Sequence, residues 1–437
     1  MSKQSNEFKS RRTQFLKELG NGVAVLPSAK PVFRNNDVTF PPRQDSSFYY
    51  LTGFDELSSY CLFAPQSKYP FQMFVEPKDA TKELWEGYIH GPEEAKSLFG
   101  ADRAQASHPD AFFDEAFIEA MVDADALYYR VGLDSKMDER IFSLLQRAGR
   151  KLGRTGRPFW PIHDPLEILG EMRCVKSAAE LESMATAAQI SADAHKLAMK
   201  LTKPGSWEYE IEALLFKEFR GHGAERVGYS SIVATGANAC VLHYSSNNQQ
   251  CQNGDLLLID AGAEYEYYSA DITRTFPVNG QFSKPQKEVY EAVLDVQKQC
   301  VAAVRPGVTV HALQEMASEL LLEHLLKMKV LKGPKKTLLQ QNAQKKYYPH
   351  GIGHWLGMDV HDAGRYYVGR YDQYRPLKAG MVLTIEPGLY FSTGPARYKG
   401  IGVRIEDDVV VTSKGCKVLT SGVPKEVEEV EAACRLA

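Results

Sequence analysis

Apolar and polar residues alternate along this chain in two distinct periods, and the change between them marks out its elements. From Glu7 to Leu19 the apolar positions recur at helical spacing, and Gly20-Asn21-Gly22 interrupts the pattern. Short apolar runs bounded by turn residues follow at Val23–Leu26, Phe48–Leu51, Tyr60–Phe63 and Phe71–Val75, and each reads as a strand. A helical stretch spans Met137–Leu152. Strands alternating with helices predict an α/β domain for the first part of the chain. The basic, glycine-rich segment 151–158 reads as a linker or surface arm. A long helix is expected over Ala178–Leu201, where Leu181, Met184, Ala188 and Ala192 repeat at helical spacing and Pro204-Gly205 stops it. Further helices are expected at Glu208–Gly221, Gln286–Val304 and Val310–Lys327, with strands dominating from Ser230. A boundary near residue 172 divides the chain into domains 1–172 and 173–437.

At 437 residues the chain is too long for one ordinary core, which agrees with two domains. The net charge of −3 gives no general attraction to nucleic acid or to an anionic membrane. The lysines between Lys327 and Lys346 lack the interleaved aromatics of a strand-binding surface, so a solvated loop is expected there. No apolar run has the length of a membrane span, and no apolar h-region follows Met1. The seven cysteines are scattered without a Cys-x-x-Cys spacing, as in a reducing compartment. A cytoplasmic protein is therefore expected.

The candidate chemistry lies in the second domain. The run Leu256–Phe276 reads as two strands folded back on each other. A turn at Tyr265-Glu266 places Asp260 opposite Asp271, and Gly262 opposite Ser269. Like charges facing each other across a sheet are destabilising, and a cation between them removes the penalty. Three more candidate ligands stand in unusual contexts: His354 among glycines, Glu386 after the apolar run Met381–Ile385, and Glu406 at the end of Gly402–Ile405. An acid closing an apolar strand is seldom buried unless paired or metal-bound. Four carboxylates and one imidazole form a hard, oxygen-rich set suited to manganese, iron, cobalt or magnesium more than to zinc. That much negative charge suits two divalent ions about 3.5–4 Å apart. Other motifs fail. His350 and His354 have the spacing of a helical zinc pair, but Gly351, Gly353 and Gly357 oppose a helix there. Gly228-Tyr229-Ser230-Ser231-Ile232 lacks the closing glycine of a nucleophile elbow.

The second domain resembles the dinuclear metallopeptidases of the pita-bread fold, aminopeptidase P most closely and prolidase next. The likeness rests on Ile259–Tyr265, Asp271–Gly280, His354–Asp362, Glu386-Pro387-Gly388-Leu389-Tyr390 and Gly400–Asp408, and extends to Met172–Ser177 and Phe48–Phe54. It implies an α+β pita-bread catalytic domain behind an α/β domain that serves oligomerisation and active-site capping. The implied reaction is release of the N-terminal residue from peptides with proline in the second position, through a hydroxide shared by two metal ions, with Mn²⁺ the expected metal. Asp271 and Glu406 would bridge both ions, Asp260 would complete one, and His354 and Glu386 the other. Glu386 would also shuttle protons. His243 and His361 would contact substrate, His350 would line the pocket, and Arg404 would orient a ligand carboxylate. The remaining histidines are read as ordinary surface or core residues. Trp85, and the arginine-rich stretch near Arg154, would be offered to a neighbouring subunit's pocket. A homo-oligomer, dimer or tetramer, is expected. The rivals are a dipeptide-specific prolidase or a phosphotriester-cleaving relative on the same site, and a non-catalytic peptide-binding relative of the fold. Such relatives typically lack some ligands, whereas all five are present here.

Overall fold

The computed structural model describes residues 3–108, 110–154, 159–369 and 371–435. It divides into two compact units, Met1–Gly170 and Glu171–Ala437.

The first unit is built on a six-stranded sheet. Its strand order is Arg103–Ala106, Phe71–Val75, Tyr60–Phe63, Val23–Pro27, Leu127–Tyr128, Ile162–His163. Phe71–Val75, Tyr60–Phe63 and Val23–Pro27 pair antiparallel with one another, and the strands flanking them on either side pair parallel. Helices Ala111–Asp123 and Ser135–Leu152 bury Phe113, Phe117, Ile141 and Leu145 against Val25, Leu62 and Phe74. Phe48–Leu51, expected as a strand, lies within the helix Ser46–Thr52. The end signals overrule the β-propensity of the aromatic run. Asp45 accepts the Phe48 N–H at 2.8 Å, and Gly53 at φ +67° donates its N–H to Tyr49 O at 2.8 Å. Residues 155–158 of the expected linker lie outside the described residues.

In the second unit, long helices pack on short, strongly buried strands. The helix Ala178–Leu201 begins in a capping box. Ser177 Oγ accepts the Glu180 N–H, and Glu180 returns a carboxylate to the Ser177 N–H. It is followed by helices Glu208–Gly221, Lys284–Ala303 and Val310–Lys327. The basic segment expected as a loop contains a short helix, Lys335–Gln340, and a 3-10 turn, Ala343–Lys346. Lys335 pairs with Glu319 and Glu323 of the preceding helix, which explains its order.

Three strands, Ile232–Thr235, Leu256–Asp260 and Thr273–Pro277, form an antiparallel sheet with Leu256–Asp260 in the centre. The hairpin register differs from the sequence expectation. Asp260 faces Thr273 and Glu264 faces Ser269, so the turn is Glu266-Tyr267, one position later. Both turn residues have positive φ, +48° and +68°, as the tight two-residue hairpin turn requires. Neither residue is a usual choice for that conformation, and tertiary contacts hold it. Glu266 accepts Ser183 Oγ at 2.8 Å, its N–H donates to Glu225, and the Arg226 guanidinium covers the Tyr267 ring. The slip moves each partner by two residues, so Asp260 and Asp271 still project from the same face.

Where these strands leave the ladder, Gly262 is a steric requirement. A Cβ there would lie 1.8 Å from the carbonyl oxygen of Ala270, the residue before Asp271. Gly262→Ala is therefore expected to destabilise the chain by about 3 kcal/mol or more, the upper end for overpacking. A urea titration against the parent chain measures this, and an unchanged midpoint would contradict it.

Candidate metal centre

Four strand ends and one glycine-rich loop deliver the site. Leu256–Asp260 ends at Asp260, and Asp271 leads into Thr273–Pro277. Val382–Ile385 ends just before Glu386, and Gly402–Arg404 runs into Ile405-Glu406. The loop 349–362 lies beside Val382–Ile385, with Thr384 N–H on His354 O at 3.0 Å and Glu386 N–H on Ile352 O at 2.8 Å. Gly353 permits this approach, since a Cβ would sit 1.9 Å from Thr384 O. The non-helical course of His350–His354 agrees with its glycines.

All nine residues singled out from sequence line one cavity of about 530 Å³: Asp260, Asp271, His354, Glu386, Glu406, His243, His350, His361 and Arg404. Donor atoms of Asp271, His354 and Glu406 lie within 4.8 Å of one another. His354 Nε2 is 3.4 Å from Asp271 Oδ2 and 3.6 Å from Glu386 Oε1, with Nδ1 3.0 Å from the Trp355 carbonyl. With Nδ1–H donating to that carbonyl, Nε2 is the ring nitrogen turned toward the carboxylates and the one that would ligate a metal.

The electrostatics are those of crowded acids. Burial and the neighbouring carboxylates push Glu406 well above the usual carboxylate range. The same causes raise Asp271, and carry Glu386 up to about 7. Burial would lower His354, but Asp271 and Glu386 overcome it and bring the imidazole up to about 9. The acids thus favour a proton on His354 Nε2, and a divalent cation bound among buried carboxylates that raise one another would take that proton's place.

The surrounding groups orient these donors. Arg404 Nη2 donates to Asp260 Oδ2 at 2.6 Å, its Nε to Thr273 Oγ1 at 3.0 Å, and its Nη1 to Tyr390 OH at 3.0 Å. Thr273 Oγ1 donates to Glu406 Oε2 at 2.6 Å. Tyr390 OH lies 2.8 Å from His350 Nε2, and His350 Nδ1 lies 2.7 Å from Gly351 O, which fixes that ring. Burial and nearby Arg404 lower the His350 imidazole to about 4, so the ring is neutral. The His354 and His361 rings meet edge to face at 4.3 Å. Next to His361 in the chain, Asp362 is a buried acid bonded to Arg173 Nη2 at 2.5 Å and Lys176 Nζ at 2.9 Å, which anchors this end of the loop.

Residues 182–413 match metallopeptidase family M24, and residues 8–128 match the aminopeptidase P N-terminal domain. The chain belongs to metallopeptidase family M24. A Haemophilus influenzae Xaa-Pro aminopeptidase is 40% identical over 97% of this chain and 96% of its own length. Among solved structures, Pseudomonas aeruginosa aminopeptidase PepP superposes with a TM-score of 0.93 at 40% identity, covering 98% of each chain. A zinc-substituted Escherichia coli aminopeptidase P in complex with product superposes with a TM-score of 0.92 at 36% identity, over 99% of this chain and 98% of that one. The architecture is thus an aminopeptidase P N-terminal domain followed by the pita-bread metallopeptidase domain of M24, and the chain is a divalent-metal-dependent hydrolase.

The sequence reading passed over two members of this M24 site. Tyr229 OH lies 2.6 Å from Asp260 Oδ1 and 2.5 Å from Asp271 Oδ1, and ties the two acids together. Tyr229 stands in a stretch that lacks the closing glycine of a nucleophile elbow, and nothing local to residues 228–232 points to the carboxylates. Asp408 Oδ2 accepts the Asp271 N–H at 3.0 Å from below the site. The run Glu406-Asp407-Asp408 was the available signal: three consecutive acids entering an apolar strand cannot all be solvated.

Proposed function

We propose that this chain is an Xaa-Pro aminopeptidase: it hydrolyses the first peptide bond of peptides whose second residue is proline. The observation that carries the reading is the convergence of Asp260, Asp271, His354, Glu386 and Glu406 in one cavity with His243, His350 and His361 on its wall. Its relatives in family M24 bear that activity as their name.

Asp260, Asp271, His354, Glu386 and Glu406 would hold two divalent ions, Asp271 and Glu406 being the donors that both ions could reach. Bound there, the ions supply Lewis-acid polarisation of the scissile carbonyl and an ionised water as nucleophile. The other tasks fall to the chain's own side chains. Glu386 takes up the proton that the attacking water gives up and passes it to the leaving proline nitrogen, a tertiary amide nitrogen until the C–N bond breaks. His243 and His361 flank the scissile carbonyl and orient it, and His350, fixed by Tyr390 and Gly351, forms the far wall. Arg404 keeps Asp260 in its ligating orientation. Leu242, Val360 and Ile232 give the cavity an apolar side suited to a pyrrolidine ring. An Xaa-Pro bond has no N–H, so a site that works through the carbonyl oxygen loses nothing on it.

Manganese is the native ion in this reading, since four of the five donors are carboxylates. A homo-oligomer is part of it, supported by Leu84 and Trp85, which stand 81% and 83% exposed. A cytoplasmic location is supported by seven cysteines without a disulfide.

Purified chain stripped with chelator and reloaded separately with Mn²⁺, Co²⁺ and Zn²⁺ tests the proposal on matched substrates. Turnover of an Xaa-Pro-Xaa tripeptide, highest with Mn²⁺ and absent after chelation, is expected. Cleavage confined to the Xaa-Pro dipeptide would make it a prolidase, and no turnover with any ion would remove the catalytic reading.

A further inference from the structure

The loop that bears His243 is fastened at both ends by a buried carboxylate outside the metal centre. Glu208, the first residue of the helix Glu208–Gly221, is fully buried. Its Oε1 accepts the Thr235 N–H at 2.7 Å and Asn238 Nδ2 at 3.0 Å. Its Oε2 accepts Tyr244 OH at 2.8 Å and the Gln249 N–H at 2.8 Å. All four donors are uncharged. They divide by position: one oxygen holds the start of loop 235–249 and the other its end. His243 stands between them, next to Tyr244, on the cavity wall. A second fastening comes from Asn247, which accepts the Val233 N–H at 3.0 Å and donates to Ser231 O at 2.9 Å along the strand Ile232–Thr235.

We infer that Glu208 is a positioning residue for catalysis: by clamping both ends of loop 235–249 it sets where His243 meets the substrate. This rests on the substrate-contacting role proposed for His243. A carboxylate is the side chain the site demands, because it offers only acceptors to four donors. An amide of the same shape fails in either orientation. Its NH₂ meets the Thr235 N–H if turned one way and the Gln249 N–H if turned the other, and each is a backbone donor that cannot accept. Buried donors left unpaired are costly, so the loop shifts to release them.

The test is steady-state kinetics of Mn²⁺-loaded Glu208→Gln and Tyr244→Phe on an Xaa-Pro-Xaa tripeptide, with metal content measured in parallel. Glu208→Gln is expected to raise KM about tenfold, the equivalent of one hydrogen bond to a charged group, with kcat within about twofold. Tyr244→Phe keeps the ring and removes one of the four donors, so its KM rises less, about threefold. Metal content stays at the parent value in both. A general loss of structure would instead lower kcat and metal content, and that result would overturn the inference. So would an unchanged KM in Tyr244→Phe, which decides the matter alone if Glu208→Gln does not fold. An inactive parent chain would count against the proposed function. An active parent with unmoved KM in both variants counts only against Glu208.

Discussion

Asp271→Ala and Glu406→Ala each lose bound metal and turnover together, with kcat/KM on an Xaa-Pro-Xaa peptide down about a thousandfold or more, as the loss of several kcal/mol of charge stabilisation requires. Both side chains are buried, and both reach the same point in the cavity as His354. Removing either leaves too few donors for two ions. Stability separates this outcome from simple unfolding. Burial and the acids Asp271, Glu386 and Asp260 all oppose ionisation of Glu406. Glu406→Gln, which removes the charge and keeps the shape, therefore leaves the metal-free chain at least as stable as the parent while metal binding fails. Metal analysis beside a thermal melt of the stripped chain reads both quantities. Full metal content with full turnover in either alanine variant would refute the shared-ligand role.

Arg274→Leu is expected to cost about 3–5 kcal/mol of folding stability, the range for removing one partner of a buried ion pair. Arg274 is fully buried and donates to Asp407 Oδ1 at 2.7 Å, Glu406 O at 2.5 Å, Thr273 O at 3.0 Å and Val423 O at 3.2 Å. The variant leaves Asp407, also fully buried, with Lys425 as its one charged partner among the described residues. It also frees the Glu406 and Thr273 carbonyls, so metal affinity falls with stability. Replacing Arg274 and Asp407 together by leucine recovers part of the loss, because the fully buried acid goes with its partner while the Lys425 ammonium, on a side chain 22% exposed, can turn to solvent. Urea titrations of the two variants measure the difference, and equal midpoints would contradict the pairing.

Much of this was readable from residues alone, for reasons that differ by element. The helix Ala178–Leu201 announces itself through the spacing of Leu181, Met184, Ala188 and Ala192 and the stop at Pro204-Gly205, all of them local. Asp260, Glu386 and Glu406 were visible because an acid beside an apolar strand is costly and needs an explanation. The hairpin turn was placed one residue early because Glu266 and Tyr267 reach left-handed conformations through Ser183, Glu225 and Arg226, which no local pattern reveals. Phe48–Leu51 was misread because its aromatic residues signal a strand while Asp45 and Gly53 impose a helix. Tyr229 and Glu208 escaped for a third reason. Their hydrogen bonds join positions 27 to 42 residues apart in sequence, and each stands in an unremarkable context.

The proposed centre places two divalent ions in one cavity between Asp260, Asp271, His354, Glu386 and Glu406. Anomalous diffraction at the manganese edge from crystals of the Mn²⁺-loaded chain locates them. Two peaks about 3.5–4 Å apart, both within bonding distance of Asp271 and Glu406, are predicted. A single peak, or manganese bound away from these side chains, would contradict it.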